Sequence, residues 1–170
     1  MARAAGIGVG TLFNYFATKE ILGIALISDS LAIAEQQFLE RRRGDESLEE
    51  DLFAFIQSGL RRLEEHRPYA AEVLEMTLNP LSRRGRCREA DELRDRHWEV
   101  VADLMQRHGS AHPPASAQMH LYWSLYLGII GCWSRDTSEH GSETLALVDQ
   151  AMRLFAAAVS QSRQLGEVSI

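Results

Sequence analysis

"ARAAGIGVGTLFNYFATKEIL", Ala2 to Leu22, is the stretch from which the rest of the chain is read. It holds the chain's only lysine, Lys19, beside the aromatic residues Phe13, Tyr15 and Phe16, in a protein of net charge -6. Residues 2–5 and 9–16 read as two short helical pieces joined at Gly6, whose missing Cβ suits a tight turn. Thr18 has the side chain of an N-cap for a longer helix behind it. Lys19 then falls in a first helical turn, where a cation opposes the macrodipole. That placement makes sense if the same positive helix end, with its free amides, faces an anion. The segment is built to touch something.

Outward from Thr18 the periodicity is helical, with no convincing alternation of the strand kind. A long helix is expected to run to about Arg43, with Ile27, Leu31, Ala34 and Phe38 on one stripe, and to end at Gly44 and Asp45. Ser47 and Glu50 have capping-box spacing and open the next, which turns Leu52, Phe55, Ile56, Leu60 and Leu63 inward. Pro68 begins another, ending near Asn79-Pro80. An arginine-rich loop, Arg83 to Arg88, leads to a helix from about Glu89 to His108. After the linker "GSAHPPAS" come two final helices, about 116–134 and 142–163. The first is apolar nearly all round, which predicts burial on every side. The second carries one stripe at Leu145, Val148, Met152, Phe155 and Val159, and another at Leu147, Ala151, Leu154 and Ala158. A chain this small has little left to cover both helices, so a second copy is the natural cover and a homodimer through 116–134 and 142–163 is expected.

At 170 residues and 19.1 kDa the chain buries enough surface to need no disulfide or metal staple. Cys87 and Cys132 lie in unlike contexts, so no disulfide and a reducing compartment are expected. The start lacks an uninterrupted apolar core with a cleavage site, and the apolar run Leu121 to Trp133 is short for a bilayer. The expected location is cytoplasmic, with no membrane partner. A pI near 5.5 excludes nucleic-acid binding over the whole surface but not a local basic contact.

Ala2 to Leu22 resembles the second half of the helix-turn-helix of tetracycline-repressor (TetR) family regulators. Ala2, Ala5, Gly6, Ile7, Gly10, Thr11, Leu12, Phe13, Tyr15, Phe16, Lys19, Glu20 and Leu22 follow that pattern in register. The resemblance implies an all-α fold: an incomplete helix-turn-helix and its connecting long helix over 1–43, then a ligand-binding and dimerisation body over 44–170. It also implies a recognition helix in the major groove, with its neighbours on phosphates. On that footing Gly10 allows close backbone approach, and Thr11, Tyr15 and Lys19 face phosphate oxygens. Asn14 can read an adenine edge, and Phe13 can touch a thymine methyl. Gly8 and Val9 depart from the pattern, where polar or basic residues are common. The family's first helix and the front of its second have no counterpart ahead of Met1. Two readings stay open: the gene product begins upstream, or the chain is a truncated member that binds ligand or forms heterodimers without DNA. In either case weak DNA binding is expected of residues 1–170 alone.

The function implied is a ligand-responsive regulator of repressor type that leaves operator DNA when a small apolar or aromatic effector binds. Phe55, Met76, Trp98, Met105, Trp123 and Tyr126 are the candidate lining of an effector cavity. His97, Thr77, His120 and Glu72 are candidates for its few polar groups. No cofactor is expected. The histidines His108 and His112 match no zinc spacing, Cys132 has no local nucleophile–base signature, and no catalytic set is visible, so neither a metal site nor an enzyme is expected.

Overall fold

A computed structural model describes residues 19–78, 88–110 and 114–167, and among these every regular element is helical. The α-helices are α1 (Lys19–Arg41), α2 (Leu48–Leu63), α3 (Arg67–Leu78), α4 (Arg88–Arg107), α5 (Ser116–Trp133) and α6 (Ser142–Glu167). Short 3-10 turns, Glu64–His66 and Glu139–Gly141, precede α3 and α6. The fold is all-α.

Local chemistry explains the boundaries. Gly44 takes φ +91°, the left-handed region that glycine enters without strain, and turns the chain after α1. The Glu46 carboxylate accepts the backbone N–H groups of Arg43 and Gly44 at 2.9 and 2.7 Å, and these bonds pull its pKa down to about 2. α1 therefore ends at Arg41, two residues before the expected Arg43. Ser47 caps α2 as its spacing predicts: its hydroxyl accepts from Glu50 N–H at 3.3 Å, and its own N–H donates to the Glu50 carboxylate at 2.7 Å. Pro68 sits in the first turn of α3, where its missing N–H costs nothing.

The joint between α5 and α6 is held by one buried carboxylate. Asp136 accepts the N–H groups of Ser138 and Thr144, each at 2.8 Å, and both of their hydroxyls. Those bonds hold its pKa well below the usual carboxylate range. Arg67, at the start of α3, donates to the carbonyls of Trp133 and Asp136, which ties α3 to the same joint.

α1 packs chiefly on α2, α2 also on α6, and α6 on α5. The core is filled by Ile24, Ile27 and Phe38 from α1, Leu52 and Ile56 from α2, Val101, Leu104 and Met105 from α4, and Val148, Met152 and Phe155 from α6. By length and composition alone the α1 segment Ile21–Arg41 would pass as a membrane span, with mean hydropathy 1.2, but its Ile24, Ile27, Ala34 and Phe38 lie in this core.

The expectation that α5 is covered on all sides needs correction for the single chain. Tyr122, Tyr126, Ile129 and Trp133 are buried, but Leu121, Ser124 and Gly128 are exposed along one edge. On α6 the stripe Val148, Met152, Phe155, Val159 is buried, whereas Leu154 on the neighbouring stripe is 61% exposed. Of that second stripe Ala151 is buried, Leu147 and Ala158 are half-buried, and Leu154 is left without cover from its own chain.

Candidate ligand pocket

A small, partly open space lies where α1, α2, α4 and α5 meet. α1 offers Ser28, Leu31 and Glu35, α2 offers Phe55 and Gly59, α4 offers Arg96 and His97, and α5 offers Tyr126. Gly59 keeps α1 and α2 close, since a Cβ there would stand 3.2 Å from a Leu31 methyl. The space measures about 40 Å³, room for a water or two. Occupation by anything larger requires a side chain to move.

One wall is aromatic. The ring centroid of His97 lies 4.3 Å from Tyr126, 5.0 Å from Phe55 and 5.9 Å from Trp123, and Trp123 is 5.9 Å from Trp98. Ring contacts of this kind are worth about 0.5–1.5 kcal/mol beyond area burial. His97 Nε2 is 2.8 Å from the Tyr122 hydroxyl. Burial pushes the His97 pKa down from 6.5 to about 3, so the imidazole is neutral at ordinary pH. Burial also raises the pKa of Tyr122 and Tyr126, which keeps both phenols protonated.

The other wall is charged. Arg96 Nε donates to Glu35 Oε2 at 2.9 Å, a pair that joins α4 to α1 across the rim. The Arg96 side chain is 56% exposed and that of Glu35 only 20%. Exposed pairs of this sort contribute little stability, so this one is easily exchanged.

Three of the residues expected to form an effector site, Phe55, Trp123 and Tyr126, meet around His97. Phe55 and Tyr126 line the space itself, Trp123 stands behind His97, and Trp98 is one ring further away, against Trp123. Met105 is different: it is wholly buried in the core on α4 and does not line the space. His120 is exposed, its Nδ1 2.7 Å from the Ser116 carbonyl, and Glu72 is exposed on α3, so neither serves the pocket. The side chains of Met76 and Thr77 lie outside the described residues, as do Gly10, Thr11, Phe13, Asn14 and Tyr15 and the side chain of Lys19. Glu35 and Arg96 were not anticipated. The signal for them was present: Glu35 follows Leu31 by four on the inward stripe of α1, and Arg96 adjoins His97.

The chain is thus a helical body with a small pocket between its first and middle helices and with exposed leucines, Leu121 and Leu154, on its last pair. Residues 52–168 match the family model described as tetracyclin repressor-like, C-terminal domain, and the chain belongs to that family of regulators. Comparison with curated proteins and with solved structures gave no match.

Proposed function

We propose that this protein is a ligand-responsive, DNA-binding transcriptional regulator of repressor type, acting in the cytoplasm as a homodimer without catalysis. The observation that carries this reading is the shared wall of the pocket. α1 supplies Ser28, Leu31 and Glu35 to it, and the same helix continues the segment that resembles a DNA-reading helix. A molecule wedged between α1 and α4 moves the helix that connects sensor to reader. In a symmetric dimer, that shift changes the separation of two reading helices away from one DNA turn, about 34 Å.

The test is selection of bound fragments from a random DNA pool with the protein made from its full coding sequence, followed by a salt titration. Affinity is expected to fall steeply with salt. Lys19→Ala and Tyr15→Phe are expected to weaken binding to all sequences, and Asn14→Ala to relax preference at one base position. A pool that shows no enrichment at low salt would remove the DNA-binding reading.

The dimer is proposed to form through the uncovered arcs of α5 and α6, with Leu121, Leu147 and Leu154 at its centre. Leu154→Glu is expected to halve the mass in sedimentation while helical content by circular dichroism is kept. Phe155→Glu, one position along, puts a charge into the protomer's own core and is expected to unfold it. A Leu154→Glu protein that sediments like the parent would place the interface elsewhere.

A further inference from the structure

We infer that the pocket takes an organic monocation: an amine, amidine or quaternary ammonium on an aromatic or apolar body. This rests on the sensor reading above and specifies its ligand. Of the two charges at the rim, Glu35 is the one held in place. Its side chain is 20% exposed, against 56% for Arg96. Arg96 can swing its guanidinium into water at little cost, because an exposed ion pair contributes little stability. An entering cation then replaces Arg96 on Glu35 and keeps that carboxylate paired. An entering anion would do the reverse, taking Arg96 and leaving a largely buried Glu35 unpaired beside a second negative charge.

The remaining walls agree with a positive ligand. Phe55 and Tyr126 put aromatic rings on the wall, and aromatic rings attract cations through their quadrupoles. His97 is neutral at ordinary pH and so does not repel one. The net charge of -6 favours encounter with cations over anions. Arg96 thus occupies the position of the ligand's charge, and its departure enlarges a space that now admits only a water or two. The exchange also cuts a link between α4 and α1, which couples binding to movement of α1.

The experiment compares three probes of similar size by calorimetry and by quenching of tryptophan fluorescence. They are benzyltrimethylammonium, its uncharged carbon analogue neopentylbenzene, and phenylacetate. The cation is expected to bind the parent protein at least about tenfold more tightly than either of the others. Glu35→Gln is expected to erase that preference. Arg96→Ala is expected to strengthen binding of the cation several-fold, since the resident competitor is gone, an effect that a merely structural Arg96 would not produce. Equal or better binding of neopentylbenzene or phenylacetate would overturn the charge assignment while leaving the pocket as a sensor site. No binding of any of the three would remove the pocket reading as well as this inference.

Discussion

Asp51→Ala is expected to destabilise the protein by about 3–5 kcal/mol, the usual cost of removing one partner from a buried ion pair. Asp51 is 0% exposed in the first turn of α2. Its two oxygens take Nε and Nη2 of Arg42, both at 2.6 Å, in a bidentate fork, and His108 Nε2 approaches at 2.7 Å. One carboxylate therefore joins the end of α1, the start of α2 and the residue after α4. Alanine leaves the Arg42 guanidinium, only 14% exposed, with its charge stripped of water and of its partner. For a chain of this size the melting temperature should fall by about 10 °C. Arg43→Ala serves as the control. Its ion pairs are exposed, and a change within about 0.5 kcal/mol is expected. Urea unfolding of the two variants makes the comparison. An Asp51→Ala protein within 1 kcal/mol of the parent would mean that the three helices are not clipped there.

That clip also marks where sequence reading stopped. The helices were legible because each has its own local signal: Ser47 with Glu50, Pro68, Gly44, and stripes with a helical period. The same stripes named most of the core. What no stripe reveals is which polar residue is buried. Asp51 follows Glu49 and Glu50 and looks like one more solvated acid, and Arg42 looks like the middle of a helix-ending arginine triplet. Only tertiary packing separates them from their neighbours, since their partners are nine and fifty-seven positions away. Asp136 was hidden for a similar reason, its four bonds depending on how the chain turns between α5 and α6.

The candidate pocket was legible by residue type and not by position. Large aromatic residues on α2, α4 and α5 were candidates because such side chains line pockets as often as they fill cores, and Phe55 and Tyr126 do reach the space. Met105 was a candidate as a soft apolar side chain, but it lies two turns along α4 from Trp98, in the core. The rim pair left only a weak signal, for the opposite reason. Glu35 and Arg96 are charged and sixty-one positions apart, and charges on helices are solvated far more often than paired. All-round apolarity of α5 carried a different ambiguity. Burial by the same chain and burial by a second copy leave the same pattern in the sequence, and only the structure shows that Leu121 is among the positions of α5 that the protomer leaves exposed.

Acidification should expose the second large effect, through His97. Its folded pKa is depressed, from 6.5 to about 3, because the ring lies among Phe55, Tyr122, Trp123 and Tyr126. A depressed pKa contributes stability that is complete above the unfolded value and is lost as pH falls towards the folded one. Below pH 6.5 the unfolded chain takes up a proton that the folded chain refuses. The loss is at most about 1.4 kcal/mol per pH unit, or about 3 kcal/mol by pH 4. Carboxylates such as Asp136 also lose stability on acidification, so the parent curve alone does not isolate the histidine. His97→Gln does, since glutamine keeps a polar partner for the Tyr122 hydroxyl and does not titrate. At pH 7 the variant should be the less stable protein, having lost ring contacts. Between pH 7 and pH 4 the gap should close by up to about 3 kcal/mol and can reverse, because only the parent's unfolded chain gains a proton at this position that the folded chain refuses. Urea midpoints measured at half-unit steps of pH would follow this directly. Parallel curves for the two proteins would put the ring in contact with water at neutral pH. A charge on His97 would then be available near the pocket, and the neutrality that admits a cation beside Glu35 would be lost with it.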